Sequence, residues 1–259
     1  LNTQAWHLFV IFSAVIASVI LNAMPIFVAA IAGLSVAVLT HTMTAEHAYS
    51  GFSEGFILLI VAAFLLARGV VNSGLGKRIG LLIIARFGRS SLGLAYSVVA
   101  ADMIIAPAFP SNTARSGVLY PIVDALATDS GSAVEEGSRR KLGAYLMMCS
   151  MSGLTISSAM WLTAMAANPV GVAMAAEYGV ELSYASWVLA ASLPCLMAFI
   201  ALPRVLYTVF PPEQTDTPDA PRWARDELNH MGPLLVREKI MAGTFIGMVG
   251  LWIASAPLG

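Results

Sequence analysis

The sequence predicts an all-α integral membrane protein that contains a re-entrant helical hairpin and a discontinuous helix. Of its 259 residues, 58% are hydrophobic and 11% are charged, whereas about 25% of the residues in a soluble globular domain are charged. A mean hydropathy of +0.78 also places the chain in a lipid bilayer. Polar residues interrupt two long apolar stretches, at residues 107–115 and 163–169. These interruptions predict the hairpin and the broken helix.

Charge and cysteine content argue against several kinds of partner. The net charge of −1 provides no positive field for nucleic acid, so no nucleic-acid partner is expected. Cys149 and Cys195 lie singly in apolar stretches, with no CxxC pair and no neighbouring His cluster. The sequence therefore predicts neither a disulfide framework nor a metal site, and it implies no cofactor. The partner that the composition does imply is the lipid bilayer.

Three apolar runs within residues 1–73 predict transmembrane helices, because a helix needs about 20 apolar residues to cross a bilayer. The runs cover residues 6–21, 24–39 and 56–71. Residues 74–89 then carry basic side chains among apolar ones at helical spacing, which predicts an amphipathic helix in the membrane interface. Five basic residues and no acidic one lie between residues 68 and 89. The positive-inside rule places this segment in the cytoplasm.

This orientation places the first residue, Leu1, outside the cell. Such a start is unusual and fits a polypeptide in which one earlier span precedes residue 1. The chain also ends within an apolar run. We therefore expect a fragment of a longer polypeptide.

Residues 90–127 predict the re-entrant hairpin. Its two apolar arms, residues 92–109 and 114–127, are short for transmembrane helices, and polar residues lie between them. Basic residues precede and follow the segment, so the chain returns to the side that it left. Two complete crossings would give the same result, but the arm lengths and the polar tip favour a hairpin that enters and leaves on one side.

The next apolar stretch predicts a broken transmembrane helix within residues 138–176. The apolar run at residues 142–176 is too long for one straight helix. Pro169 removes a backbone donor and clashes with the preceding turn, so a break is expected near Asn168. The remaining segments are a transmembrane helix at residues 184–204, a Pro- and charge-rich cytoplasmic linker, mobile or interfacial, at residues 210–238, and the start of another transmembrane helix at residues 240–259.

The tip of the hairpin has the composition of a helix start that binds anions. Ser111, Asn112 and Thr113 follow Pro110, and residues of these types cap helices because their side chains accept hydrogen bonds from unpaired amides. The N-terminus of a helix has free N–H groups and the positive end of the helix dipole, and many secondary transporters hold substrates at such termini. The alternative is an ordinary capped turn between two helices at the outer surface.

Asp102 and Arg115 are the ionisable residues nearest this tip. A charge at such depth is costly and is expected to be functional unless it is paired. Arg115 could neutralise a carboxylate of the substrate, or it could pair with Asp102 as a structural contact. The second interruption, at Thr163, Asn168 and Pro169, could line the same cavity, or it could be a proline kink that hydroxyl side chains repair.

Two other function classes fit the sequence poorly. An intramembrane enzyme would need a nucleophile and a base, or metal ligands, at depth, and the sequence has no HExxH motif and no paired carboxylates there. A channel would need a continuous polar or charged lining, whereas this chain has isolated interruptions. The sequence therefore predicts a carrier of small organic anions and not an enzyme.

Three segments of the sequence carry a family resemblance. They are PSNTARSGVLYPIV at residues 110–123, SGFSEGFILLIVAAFLLARG at residues 50–69 and SSAMWLTAMAANPVG at residues 157–171. With them, nearly the whole chain resembles the divalent anion/sodium symporter (DASS) family, especially its 2-oxoglutarate/malate and citrate/tartrate carrier branch.

The resemblance implies an N-terminal half, the first inverted repeat of an elevator-type transporter that works as a homodimer in the plasma (inner) membrane. Residues 1–73 would form the multi-pass scaffold, and the second repeat would carry another SNT motif. Together the two motifs would bind a small organic di- or tricarboxylate. The substrate-binding residues would be Ser111, Asn112, Thr113 and Arg115. The residues of the broken helix that closes a neighbouring cation site would be Thr163, Asn168 and Pro169.

One departure from the family pattern bears on coupling. Sodium-coupled relatives often have a small hydroxyl residue one turn before the SNT motif, whereas this chain has Pro107, which offers no side-chain ligand. Arg115 adds a fixed positive charge, and either Na⁺ or a guanidinium can neutralise a dicarboxylate in a low-dielectric cavity. We therefore expect sodium-independent exchange (antiport) of the 2-oxoglutarate/malate type. The alternative is sodium-coupled symport of a dicarboxylate or sulfate, with Na⁺ as the coupling ion near Ser111 and Asn112.

Overall fold

The computed structural model describes residues 2–53, 55–133 and 137–254. In these residues all regular structure is helical, apart from an isolated antiparallel bridge between Ser90 and Asp216. The predicted all-α fold class is therefore confirmed. The chain divides into two compact units, Leu1–Leu58 and Leu59–Gly259.

The first unit contains two apolar helices and a short third one. Its helices are α1 (Thr3–Ile20), α2 (Ile26–Leu39) and α3 (Ala45–Tyr49), which leads into a 3₁₀ turn at Ser50–Ser53. The first two coincide with the predicted runs at residues 6–21 and 24–39, and they pack against each other. Asn22 adopts a left-handed conformation, with φ +54°, in the connection between them, as Asn often does after a helix end.

Gly33 permits the close contact between α1 and α2. A Cβ atom at this position would lie 2.5 Å from Cγ2 of Val15, well inside the usual contact distance of about 3.5–4.0 Å between carbon atoms. Val15 is β-branched and has one strongly preferred rotamer in a helix, so its side chain does not readily move aside. The spacing of α1 and α2 therefore depends on the glycine at position 33.

The second unit is a helical bundle. Its helices are α4 (Gly55–Ser73, whose first turn belongs to the first unit), α5 (Leu75–Phe87), α6 (Ser91–Ile105), α7 (Asn112–Asp129), α8 (Gly143–Met160), α9 (Ala167–Glu177), α10 (Tyr184–Val209), α11 (Ala220–Met231) and α12 (Val236–Ala254). Helix α8 packs against α6, α7 and α10, while α5 packs against α6 and α11. Gly74 alone joins α4 to α5, with φ +82°, a conformation that glycine adopts without steric cost.

Two clusters of buried apolar side chains form the interior of the second unit. The first cluster joins α5, α6, α7, α8 and α11 and includes the fully buried Leu81, Leu94 and Leu146. The second joins α4, α5, α6 and α7 and includes Leu66 and Phe109, with side chains of α12 packed against it. Lipid tails are as apolar as leucine, so these helices associate in a bilayer through close van der Waals packing rather than through the exclusion of water.

The predicted linker at residues 210–238 contains a helix that the sequence analysis missed. Helix α11 lies against α5 and buries Ala220, Pro221 and Ala224. The prolines and charges of the segment led to its interpretation as a linker. However, Pro221 lies in the first turn, where proline is tolerated, and the small apolar residues recur at helical spacing. The segment therefore has an ordered amphipathic helix at its centre.

Two ion pairs connect α5 to this C-terminal segment. Nζ of Lys77 donates a hydrogen bond of 2.8 Å to Glu227, and this bond holds the pKa of the Glu227 carboxyl below its ordinary value. Arg78 donates to both carboxylate oxygens of Glu238, at 2.6 Å and 3.2 Å, and to the carbonyl of Gly232 at 3.0 Å. Arg78 and Glu238 are both buried. Their bidentate contact fixes the start of α12 against α5.

Several helices are suited to a membrane. By length and composition, three segments of the described chain could cross it: Thr3–Ile20, Ser91–Ala108 and Tyr184–Val209. A fourth would qualify if the bent pair Ala45–Ser53 and Ile57–Ser73 forms one span. The first and last of the three expose most of their large apolar side chains, which suits contact with lipid. Helix α12 coincides with the predicted helix at residues 240–259 as far as Ala254, and residues 255–259 lie outside the described residues.

Replacement of Gly33 by alanine should destabilise the protein, although alanine is the better helix former by about 1 kcal/mol. The new Cβ must displace Val15 or separate α1 from α2, and overpacking of this kind costs about 1–3 kcal/mol. The free energy of unfolding of the full-length protein that contains this chain, measured in mixed micelles, should therefore fall. Gly250→Ala in α12 is the matched control, because no atom lies within 4 Å of its added Cβ. Equal effects of the two substitutions would contradict the role of Gly33.

Candidate functional site

Helix α6 ends at a polar turn, and α7 starts after it. Beyond Ile105 the chain forms a 3₁₀ turn at Ala106–Ala108, after which Phe109 is extended (φ −125°, ψ 104°). Ser111 is the N-cap of α7, with φ −139° and ψ 123°, and its Oγ accepts a hydrogen bond of 3.4 Å from the amide of Ala114. The helix start predicted at Ser111 is therefore present.

The first turn of α7 presents hydrogen-bond donors without partners. Ser111 and Asn112 are half-buried, and Thr113 is exposed. The backbone amides of Asn112 and Thr113 donate no hydrogen bond within the described residues, as expected for the first turn of a helix. These amides and the dipole of α7 form a positive pole that can bind the oxygen atoms of an anion.

A second interruption separates α8 from α9. Helix α8 ends at Met160, a 3₁₀ turn follows at Leu162–Ala164, and α9 begins at Ala167. The break lies just before Asn168, where the sequence analysis expected it. Pro169 itself is in the first turn of α9, because a missing N–H group costs nothing there.

Hydrogen bonds join the two interruptions. Oγ1 of Thr163 donates to the carbonyl of Pro107 at 2.8 Å. The amide of Ala166 donates to the carbonyl of Pro110 at 3.0 Å. Thr163 is buried, and its hydroxyl proton is used in the contact with Pro107. The residues predicted for the substrate site and for the broken helix therefore lie on elements that are in direct contact.

Asn168 closes the end of α8. Its Nδ2 donates to the carbonyl of Ser158 at 2.8 Å and to the carbonyl of Trp161 at 3.2 Å. The last carbonyls of a helix have no partner within the helix, and in a membrane each unpaired group costs several kcal/mol. The amide side chain of Asn168 thus makes the break in α8 tolerable.

Asp102 and Arg115 form a buried ion pair between α6 and α7. Their side chains are 1% and 0% exposed, and Nε of Arg115 lies 3.0 Å from Oδ1 of Asp102. The two atoms are not aligned as a hydrogen bond, so their attraction is mainly electrostatic. The hydroxyl of Ser157, on α8, donates to Oδ2 of Asp102. Of the two roles considered for Arg115, pairing with Asp102 is the one present here, whereas contact with the substrate stays a prediction.

The guanidinium of Arg115 also orients Asn112. Nη2 of Arg115 lies 2.9 Å from Oδ1 of Asn112, 2.7 Å from Oγ of Ser158 and 2.9 Å from the carbonyl of Leu154. Oγ of Ser158 lies 2.6 Å from the same Oδ1. The reverse orientation of the amide would set Nδ2 against the guanidinium, donor to donor, so the neighbours determine the assignment. Nδ2 of Asn112 therefore points elsewhere, has no acceptor within the described residues and is available to a carboxylate.

Ser157 and Ser158 were not assigned a role from the sequence. They are adjacent on α8, and they contact Asp102 and Asn112 on the neighbouring elements. The signal for them is the concentration of hydroxyl side chains at residues 150–158 of an apolar helix. Polar side chains in a membrane helix commonly form hydrogen bonds to another helix.

A family described as the sodium:sulfate symporter transmembrane region matches residues 1–259. The chain belongs to this symporter family. It is the divalent anion/sodium symporter family that the sequence resembles, and its members are transporters. The prediction that this chain is not an enzyme is thereby confirmed.

Similar proteins come from bacteria and from plastids. The putative malate transporter YflS of Bacillus subtilis (strain 168) is 43% identical over 255 residues, which are 98% of this chain and 53% of that protein. Dicarboxylate transporter 1, chloroplastic, of Spinacia oleracea is 42% identical over 100% of this chain and 46% of its own length. The L-tartrate/succinate antiporter of Shigella dysenteriae serotype 1 (strain Sd197) is 35% identical over 98% of this chain and 56% of its length. The chain thus spans about half the length of the curated relatives that it matches.

One enzyme-like motif in the chain lacks the geometry of a nucleophile site. Residues 51–55 read GFSEG, which matches the GxSxG pattern of hydrolases. That pattern acts on a sharp strand-to-helix turn. Here Ser53 lies in the 3₁₀ turn Ser50–Ser53, and its hydroxyl donates to the carbonyl of Ser50 at 2.7 Å.

The Asp102–Arg115 pair should show strong energetic coupling. Asp102→Asn or Arg115→Met alone leaves one buried charge without its partner, and such changes cost about 3–5 kcal/mol. The double variant should cost much less than the sum of the two single variants, because it leaves no unpaired charge. Unfolding of the full-length protein in mixed micelles measures the three free energies.

The Lys77–Glu227 pair provides the matched control for this cycle. Its side chains are 47% and 30% exposed, so Lys77→Met and Glu227→Gln should couple by less than about 1 kcal/mol. Additive effects at Asp102 and Arg115 would contradict the buried ion pair.

Proposed function

We propose that the full-length protein containing this chain is a secondary active transporter of small organic di- and tricarboxylates. The observation that carries the proposal is the start of α7, where the amides of Asn112 and Thr113 and Nδ2 of Asn112 are donors without acceptors among the described residues. Hydrogen bonds from such donors to a carboxylate are strong because the acceptor is charged. The names of the relatives, which include a putative malate transporter and an L-tartrate/succinate antiporter, support this substrate class.

In this proposal Ser111, Asn112 and Thr113 form one half of the binding site, at the tip of a re-entrant hairpin. The arm Ser91–Ala108 is itself long enough to cross a membrane, so the length of the arms does not favour a hairpin. The support for the hairpin comes from its polar tip and from the hydrogen bonds to the second break. The length of the relatives supports a second half of the site beyond this chain. We further propose that this chain is the first inverted repeat of an elevator-type transporter. The full-length protein would be a homodimer that crosses the plasma (inner) membrane several times.

Arg115 acts at this site as a positioning residue and as a source of positive potential. Its guanidinium is the end of the ion pair that contacts Asn112, while the carboxylate of Asp102 contacts Ser157. The positive end of the pair therefore lies next to the tip. A substrate carboxylate bound at Asn112 experiences this charge in a medium of low dielectric constant, where electrostatic effects are large.

The same contacts favour sodium-independent exchange. Nη2 of Arg115 lies 2.9 Å from Oδ1 of Asn112, so the positive charge of the guanidinium disfavours this oxygen as a ligand for Na⁺. Pro107 provides no side-chain oxygen, and its carbonyl already accepts from Thr163. The alternative remains sodium-coupled symport of a dicarboxylate or sulfate, with Na⁺ as the coupling ion beside Ser111 and Asn112. The description of the family as a sodium:sulfate symporter supports this alternative.

Exchange requires a substrate on both sides of the membrane and no sodium gradient. Liposomes that contain the full-length protein and internal malate should take up labelled 2-oxoglutarate equally well in sodium and in choline buffer. Uptake should fall to the level of protein-free liposomes when internal malate is omitted. Uptake that stops in choline buffer would overturn exchange and favour symport.

The tip residues should control transport and not folding. Ser111→Ala/Asn112→Ala removes the N-cap and the free amide donor, and each hydrogen bond to a charged group is worth about 1.5–3 kcal/mol. The rate of 2-oxoglutarate uptake at low substrate concentration should therefore fall at least about tenfold. Ser192→Ala/Asn229→Ala, which changes the same residue types at a half-buried position of α10 and an exposed position of α11, should transport normally. Normal transport by the Ser111/Asn112 variant would refute the assignment of the site.

A further inference from the structure

Three arginines line a surface cavity where the end of α5 meets the start of α11. Arg89, Arg222 and Arg225, hereafter the arginine cluster, line a volume of about 540 Å³ together with Asp216. All three arginines are exposed. None of these residues belongs to the candidate transport site, so the arginine cluster requires an explanation of its own.

Backbone hydrogen bonds fix the position of the cluster. The amide of Thr217 donates to the carbonyl of Arg89 at 3.0 Å, and the amide of Ser91 donates to the carbonyl of Thr215 at 2.9 Å. Oγ1 of Thr217 also donates to the carbonyl of Gly88 at 2.8 Å. The segment before α11 is thereby paired with the turn between α5 and α6. The arginines are distant in the sequence, but these hydrogen bonds fix the backbone segments that carry them next to each other.

Carboxylates of the described residues neutralise the positive charge of the cluster only in part. Arg222 forms an ion pair of 3.2 Å with Asp219, but both side chains are largely exposed, and such pairs are weak. Neither Arg89 nor Arg225 forms an ion pair with a carboxylate within the described residues. Asp216 is the one carboxylate that lines the cavity. Three guanidinium groups therefore face a single lining carboxylate.

Exposed apolar side chains lie beside the cluster on α5. Phe87, two residues before Arg89, is 61% exposed, and Leu82 is 52% exposed. The positive-inside rule assigns this helix to the cytoplasmic membrane interface. Basic side chains next to exposed apolar ones suit the headgroup region of a bilayer, where anionic lipids attract arginine and lysine.

We propose that the arginine cluster binds the phosphate group of an anionic phospholipid in the inner leaflet. A guanidinium binds phosphate through two parallel hydrogen bonds. Phe87 and Leu82 contact the acyl chains. The carboxylate of Asp216 repels the phosphate, so binding is weaker than three arginines alone would produce. The bound lipid holds α5 and α11 together at the membrane surface.

Titration of phosphatidylglycerol into the full-length protein in detergent, followed by native mass spectrometry, tests this site. Arg222→Gln/Arg225→Gln should raise the apparent Kd about 25-fold, because each basic residue near anionic lipid contributes about a factor of five. Arg86→Gln/Arg139→Gln removes the same charge from exposed positions outside the cavity and should leave the Kd unchanged. Asp216→Asn should lower the Kd.

Two further ligands identify the source of the phosphate. Phosphatidylcholine, which has no net charge, should bind more weakly than phosphatidylglycerol, and inorganic phosphate should compete poorly with the lipid. Equal binding of phosphatidylglycerol by the wild type and the Arg222/Arg225 variant would overturn the proposal, as would a cavity that takes inorganic phosphate but not the lipid. If the double variant does not fold, Asp216→Asn decides, since the absence of a gain in affinity contradicts the site.

Discussion

A helix that breaks within a membrane leaves backbone groups without partners, and the lipid offers none. In this chain each of two breaks supplies partners for the other, through Thr163 to Pro107 and through Ala166 to Pro110. The breaks must therefore lie side by side, which sets how α6, α7 and α8 pack. The amides at the start of α7 take no part in this pairing, so they are free to bind a ligand. The same constraint thus determines the architecture and the position of the candidate site.

The buried ion pair of Asp102 and Arg115 is not explained by stability alone. Removing two charges from water is expensive, and well-packed apolar residues often replace such pairs without loss. Its specific effect lies in orientation, because Arg115 and Ser158 hold the carbonyl end of Asn112 inward. The amide end then faces outward as a donor. The side-chain amide of Asn112 could adopt two orientations, and this network selects the one in which its N–H groups can bind an anion.

Features that depend on local composition could be predicted from the sequence, and features that depend on distant contacts could not. The all-α fold, the helix start at Ser111 and the break beside Asn168 follow from residues within one or two turns. The role of Ser158 depends on Arg115, which is 43 residues away. Helix α11 could not be predicted because its apolar face is short and its sequence is rich in charged residues. The packing of this face against α5 is visible only in the structure. For Arg115 the sequence allowed both roles, and the pairing with Asp102 depends on a contact between α6 and α7 that the sequence does not show.

The contact between Arg78 and Glu238 has a consequence for biogenesis. The two residues are 160 positions apart, so the ribosome makes the arginine long before its carboxylate. Until Glu238 emerges, α5 cannot take its final place, because a buried charge without its partner is strongly destabilising. The contact that fixes the start of α12 against α5 can therefore form only after synthesis has reached Glu238.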